Sequence, residues 1–355
     1  MDDIYESKGI RIESISSDEA DGTALTFRYN GRHINVSLFK SAVSQDQEQG
    51  SNSRQETPLE DRLLRLLDRA VTADRPEDYK ELTHEALDAM LDIGKGLFCQ
   101  VVPPASLHNL DLHSLLYPEA LDFCLETVDG RATISQIDPE EAVWVPEDEP
   151  DPGMITDFQA DIRIPQYSSR DIQVQDVFHT RESSVSRVRV GGRDMLCKAV
   201  SIGLGDSNLE RELVKLQNIW TACLDTGRTF RVPKIQAYVK HAESEAIIGF
   251  LSEWIPSSGV HGRTLSETDV FAVPAELRRK WADQIRETVN ELHEIGVVWG
   301  DGKAANVIID VNDDAWLIDF AGQWTRGWVD TRELVGTKEG DYQAVENIVG
   351  FLDLK

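Results

Sequence analysis

The stretch Val298-Trp299-Gly300-Asp301-Gly302-Lys303-Ala304-Ala305-Asn306 sets an aspartate and an asparagine five residues apart, with a lysine between them. Eighteen residues beyond Asp301 comes Asp319-Phe320-Ala321-Gly322, directly after the apolar triplet Trp316-Leu317-Ile318. The intervening Val307-Ile308-Ile309 and Asn312-Asp313-Asp314 complete the pattern of a tight hairpin. Moving the γ-phosphoryl of Mg-ATP to a hydroxyl needs a carboxylate that orients the attacking group. It also needs an amide and a second carboxylate that hold magnesium on the phosphates. Asp-Gly alone is an ordinary turn dipeptide, and an asparagine alone commonly ties a loop to its own backbone. The chemistry is read from Asp301, Lys303, Asn306 and Asp319 together. Asp319 emerges from an apolar strand, where an unpartnered carboxylate is costly, so a metal or a lysine is expected beside it.

A second group lies upstream. Lys198 stands in the middle of the apolar run Met195-Leu196-Cys197-Lys198-Ala199-Val200. A lysine there sends its stem inward and must find an anion; the alternative is a strand-edge lysine reaching water. The helix predicted from Asn208 to Trp220 carries Leu209, Leu213, Leu216 and Trp220 on one face. Gly203-Leu204-Gly205-Asp206-Ser207-Asn208 lacks the third glycine of a dinucleotide loop. It reads as a turn with Asp206 or Ser207 capping that helix.

These residues need strands and helices to hold them, and the patterning supplies both. Ile172-Gln173-Val174, Val185 to Val190 and Met195 to Val200 read as strands, the last two joined at Gly191-Gly192. Tyr238-Val239 and Ile247 to Leu251 read as two more strands. Pro274 to Ile295 is a long helix with the stripe Leu277, Trp281, Ile285, Val289 and Leu292, stopped by Gly296. Upstream, Ile10 to Ile15, Ala24 to Tyr29 and Ile34 to Val36 alternate as strands, with Asn30-Gly31 as a hairpin turn. Pro58 opens an amphipathic helix, and a second is predicted from Arg75 to Ile93, ending at Gly94. Ala132 to Ile134 and Ala142 to Val145 read as short strands. The polar stretch from Ser41 to Thr57 reads as a disordered insertion, and the acidic segment Pro146 to Pro152 as a solvated connection.

The chain of 355 residues suggests two domains or one large one; it carries a net charge of −27 and is 41% hydrophobic, ample for real cores. That charge argues against nucleic-acid or anionic-membrane partners, which need clustered Lys and Arg. The four cysteines, Cys99, Cys124, Cys197 and Cys223, have no metal-binding spacing and are expected as reduced, buried residues. The N-terminus has no signal-peptide pattern and no apolar run spans a bilayer, so a cytoplasmic, intracellular protein is expected.

On these residues the second half of the chain, from about 170 to 355, resembles the protein kinase superfamily and, more narrowly, fungal protein-kinase-like proteins of uncharacterised substrate. Asp301, Lys303 and Asn306 stand as its catalytic D-x-K-x-x-N. Asp319-Phe320-Ala321 stands as its metal-binding D-F-G, with Gly322 one place late. Lys198 is similar to the strand-three lysine and Glu212 to the helix glutamate paired with it, Glu210 being the fallback. Ser252-Glu253-Trp254-Ile255 resembles the nucleotide-binding hinge, which assigns Glu253 and Ile255 to the cofactor. Asp341 looks like the aspartate that braces the catalytic loop. The N-terminal part, including Leu112 to Pro118, resembles the leader domain of the same family; its aromatic and leucine content reads as core, and its residues point to no particular chemistry.

The sequence departs from that family in four places. Trp299 and Gly300 replace the histidine and arginine of H-R-D, which implies that activation does not depend on loop phosphorylation. The glycine-rich phosphate loop is replaced by His179-Thr180-Arg181-Glu182-Ser183-Ser184-Val185, leaving the amides of Ser183 and Ser184 to approach phosphates. Only some twenty residues separate Asp319 from Gly340. With the sequence running to Lys355, the usual peptide-docking helices are expected to be absent.

The expected architecture is α+β: an N-terminal α+β domain over 1–165, then a bilobal kinase-like fold with a truncated C-lobe over 166–355 (N-lobe 166–255, C-lobe 256–355). The resemblance implies an ATP- and Mg²⁺-dependent kinase of serine/threonine type acting on a hydroxyl-bearing protein. Two rivals remain open. A small-molecule kinase of aminoglycoside-phosphotransferase type is favoured by the short segment after Asp319. A nucleotide-binding scaffold is favoured by the glycine-free loop.

Overall fold

The computed structural model describes residues 10–17, 22–41, 57–103, 110–145, 158–180, 183–205, 208–257, 259, 262–322 and 324–354. The polar 41–57 stretch apart from its two ends, the Pro146 to Pro152 segment, and the caps Asp206 and Ser207 lie outside these residues. The chain divides into two compact units. One comprises Met1–Leu107 with Tyr117–Asp148, the other His108–Leu116 with Glu149–Lys355.

In the first unit, β1 (Ile10–Ser17), β2 (Thr23–Tyr29) and β3 (Arg32–Leu38) form an antiparallel meander. The β2–β3 turn sets Asn30 and Gly31 at φ 50° and 86°, as a two-residue hairpin requires. Helices α1 (Leu59–Val71) and α2 (Pro76–Val101) then cross over to β4 (Ala120–Val128), which pairs parallel to β3, and β5 (Arg131–Gln136) closes the sheet. The apolar faces of both helices and of the sheet form one core, with the Phe98 ring set edge-on to Phe27 and Phe123.

Two expectations change here. Helix α2 does not stop at Gly94 but runs on to Val101. A Cβ at Gly94 would lie 2.6 Å from the Phe98 ring, so this glycine makes room for a neighbour inside the helix. Ala142 to Val145 forms no strand. Val143 is buried and its N–H donates to Ser37 Oγ at 3.0 Å, while Trp144 is exposed.

The second unit opens with α3 (Leu112–Leu116), a segment expected in the first domain. Residues 110–112 add to the sheet of the second unit instead, through Leu112 N–H to Ile172 O and Val174 N–H to Leu110 O. That sheet contains β6 (Gln166–Ser168), β7 (Gln173–Thr180), β8 (Ser184–Val190), β9 (Arg193–Ala199), β10 (Ile235–Lys240) and β11 (Ile247–Glu253), in the order β6-β10-β11-β9-β8-β7. Gly191 and Gly192, at φ 56° and 78°, make the β8–β9 turn. Between β9 and β10, α4 (Asn208–Thr226) buries Leu209, Leu213 and Leu216. The rest is α5 (Ala275–Glu294), the hairpin β12 (Val307–Ile309) and β13 (Ala315–Leu317), and α6 (Lys338–Phe351). Helix α5 ends as its glycine dictates: Gly296 takes φ 77°, and Val297 N–H returns to Leu292 O at 2.9 Å. One continuous core joins α4, β10 and β11 to α5, the hairpin and α6, with Trp281 and Trp299 fully buried in it.

Candidate active site

The apolar strand β9 delivers Lys198 and the buried face of α4 delivers Glu212. The ammonium lies 2.9 and 2.8 Å from the two carboxylate oxygens of Glu212 and 3.3 Å from Asp319 Oδ1. Three segments remote in sequence therefore meet on one cation. Burial works against the charge on Lys198, but Glu212 and Asp319 outweigh it and hold the ammonium above its ordinary range. Burial pushes Glu212 up; Lys198 offsets this in part, and Asp319 adds to it. Two carboxylates facing one ammonium leave the trio one positive charge short.

Asp319 follows β13 with φ 62°, a left-handed conformation uncommon for a residue with a side chain. Its carboxylate, a third exposed, reaches the wall of a cavity of about 350 Å³ together with Lys198 and Glu212. Glu253 and Ile255, the expected hinge residues, line the same cavity, as does Val185. Ser184 belongs to β8, paired with Thr180 and Ala199; Arg181 and Glu182 lie outside the described residues. Within the same lining, Phe178 stacks on Trp254 at 5.8 Å, and Arg263 lies 4.0 Å above the Phe178 ring.

Asp301, Lys303 and Asn306 form a second cluster, outside that cavity lining. Asp301 is buried and surrounded by donors. Lys303 Nζ is 2.6 Å and Asn306 Nδ2 3.0 Å from Oδ2, and Thr325 Oγ1 is 3.1 Å from Oδ1. Asn306 Nδ2 also donates to Asp301 O at 2.8 Å. Its amide nitrogen is thus committed to the loop. Burial raises Asp301 above the usual carboxylate range; Lys303 and Thr325 pull against this, and the charge of Asp319 adds to it. The two clusters are tied by backbone: Ile318 N–H donates to Asn306 O at 3.0 Å, and Trp299 Nε1–H to Ile318 O at 2.9 Å.

A frame holds the loop from behind. Thr337 caps α6 and so sets Asp341 in its first turn. The fully buried Asp341 carboxylate accepts from Trp299 N–H (2.8 Å), Gly300 N–H (2.7 Å) and His293 Nε2 (2.8 Å). From the other side Lys215, one turn beyond Glu212 on α4, donates to Phe320 O at 2.9 Å and Trp299 O at 3.4 Å. Gly300, at φ 84°, leaves the space that Lys215 enters, a Cβ there lying 3.2 Å from its Nζ. Little in the sequence pattern marks Lys215, and nothing marks Thr325. Both act on the site through tertiary contact, and only the loss of a side chain at Gly300 hints at the first.

The fit of these residues to magnesium can be judged on their own chemistry. Asp319 and the Asn306 amide oxygen are hard oxygen donors of the kind Mg²⁺ takes. The charge deficit at Lys198–Glu212–Asp319 and the raised Asp301 carboxyl are both relieved by a divalent cation. The donor set and the electrostatics fit.

One other cluster offers metal-ligand types among the described residues: His113, His241 and Glu243. His241 Nδ1 accepts the Ser244 N–H at 3.1 Å, so its Nε2 keeps a proton, and Arg170 lies 2.6 Å from Glu243 Oε1. Arg170 and Glu243 form an ion pair, and His113 of α3 lies 3.2 Å from Ser169 Oγ, which ties α3 to the β6–β7 connection. The four cysteines are free; only Cys197 is fully buried, and Cys99 is exposed, against the expectation that all four are core residues.

No family model and no curated protein matches the chain. Among solved structures, it is similar to vaccinia related kinase 3 over 50% of its own length, at 13% identity and a TM-score of 0.38. The chain spans 63% of that structure. No helix among the described residues is long and apolar enough to cross a membrane.

Proposed function

We propose that the second unit is a bilobal, kinase-like phosphotransferase that uses ATP and Mg²⁺ to phosphorylate a hydroxyl acceptor, with serine/threonine-type chemistry. The observation that carries this reading is Lys198 Nζ between Glu212 and Asp319 on the cavity wall. A buried lysine held by a helix glutamate clamps nucleotide phosphates, and the deficit of positive charge beside it suits the magnesium those phosphates carry.

In this reading Asn306 and Asp319 hold the magnesium, which neutralises charge on the phosphates. Glu253 and Ile255 receive the base through their backbone. Asp301 orients the acceptor hydroxyl and takes its proton, and its raised carboxyl favours that role. Lys303, already on Asp301, stabilises the transferring group. A small-molecule acceptor remains the second reading, favoured by the short run from Asp319 to α6.

The test is ADP formation from Mg-ATP with peptide and metabolite pools as acceptors, in wild type and Asp301→Asn. The expected result is acceptor-dependent turnover that falls by roughly 10²–10⁴-fold in the variant with nucleotide affinity retained. Equal turnover in both proteins contradicts the role of Asp301; nucleotide binding without turnover on any acceptor favours a scaffold.

A further inference from the structure

Thr325 lies six residues beyond Asp319 and stands where an acceptor would stand. Its Oγ1 is 3.1 Å from Asp301 Oδ1 and 3.1 Å from Lys303 Nζ. Those are the two contacts the proposed chemistry gives to a hydroxyl about to be phosphorylated: a carboxylate to receive its proton and a cation beside the incoming phosphoryl. Among the described residues no other hydroxyl bonds to Asp301.

The placement is built by the local chain. Trp328 N–H donates to Thr325 O at 3.2 Å, closing a turn with Gly327 at φ 91° in its third position. Asn347 of α6 holds Trp328 O at 3.0 Å, and Trp324 Nε1–H donates to Val329 O at 3.1 Å. The turn is thus anchored on both sides of the hydroxyl it presents, and the residue is half-buried rather than loose in solvent.

We propose that Thr325 is itself a phosphoryl acceptor, modified within its own chain; this rests on the phosphotransferase reading above. Thr325 Oγ forms the new bond to the γ-phosphorus of Mg-ATP while its proton passes to Asp301 Oδ1. The bond from that phosphorus to the β–γ bridging oxygen breaks, and ADP leaves with the electron pair. The product dianion pairs with Lys303 and repels Asp301. Modification therefore stops at one phosphate and leaves the acceptor position filled.

The full chain, first treated with phosphatase, is incubated with Mg-ATP and followed by intact mass and peptide mapping. Expected is a gain of one phosphoryl group on Thr325, at a first-order rate independent of protein concentration. Thr325→Ser should keep the gain and Thr325→Val lose it. Asp301→Asn should lose it while Mg-ATP still raises its melting temperature. A rate that scales with protein concentration, or phosphate mapping elsewhere, overturns the proposal. So does an unmodified chain that phosphorylates an added acceptor, which leaves the phosphotransferase reading standing. A wild-type chain whose melting temperature ignores Mg-ATP overturns both.

Discussion

Lys215 Nζ donates to Phe320 O at 2.9 Å and reaches Trp299 O at 3.4 Å, joining α4 to the backbone on either side of the site. Arg211 and Glu212 of the same helix also touch this segment, at Ala321 O and Phe320 N–H, both at 3.4 Å. One helix therefore fixes Lys198 through Glu212 and Asp319 through its following carbonyl. Burial lowers Lys215 from its ordinary range, as befits an ammonium held by carbonyls rather than by a paired carboxylate.

Lys215→Met keeps the stem and removes both bonds. Because a misplacement of about 1 Å can cost ~10²-fold in rate, kcat is expected to fall by about that factor with little change in KM for ATP. Lys215→Arg should recover part of the loss. A fall confined to KM would mean that Lys215 serves nucleotide binding instead.

Gly300→Ala tests the same contact from the loop side. A Cβ at φ 84° would lie 3.2 Å from Lys215 Nζ and 3.3 Å from Gly322 Cα. A left-handed non-glycine residue costs about 1–3 kcal/mol, to be read as a lower denaturant midpoint at unchanged slope. An unchanged midpoint would show that the loop has room this geometry denies it.

Much of this was legible because it is local. The spacing of Asp301 and Asn306 is set by a single loop, and Asp319 follows a strand whose apolar pattern announces it. Lys198 stands out as a charge inside an apolar run, whereas Glu212 is set apart from Glu210 on the same helix only by the resemblance. Lys215 has no such mark, since its partners are backbone carbonyls that every residue owns. Thr325 finds Asp301 through a turn around Gly327 that carries no apolar periodicity. In the first unit the same limit appears at Gly94, where a glycine packing on Phe98 looks in sequence like a helix stop. Chain order places Leu112 to Pro118 with the first domain, although residues 110–112 pair with the start of β7 in the second unit.

Asp341→Ala would strand three donors, the N–H groups of Trp299 and Gly300 and Nε2 of His293. Each buried unsatisfied group costs about 1–3 kcal/mol, so a loss of about 3 kcal/mol or more is expected in urea unfolding. A smaller loss would place less weight on this brace than its three bonds imply.

The pH dependence follows from Asp301. Its carboxyl is raised by burial, and a base must be ionised to work, so the rate should fall with acidification at a pH above the ordinary aspartate value of about 3.9. Lys303 holds that carboxyl down. Lys303→Met should therefore move the acid limb of the kcat profile to higher pH, besides lowering the plateau. A limb that stays put or moves to lower pH would break the link between these two residues.

The central claim is a metal–nucleotide site built on Asp319. Thermal unfolding of wild type and Asp319→Asn, each with and without Mg-ATP, tests it most directly. Ligand at a hundred times its Kd stabilises by about 2.7 kcal/mol, worth several degrees of Tm in a domain of this size. The account predicts a magnesium-dependent rise in wild type that Asp319→Asn loses. Two folded proteins whose Tm values ignore Mg-ATP would contradict it.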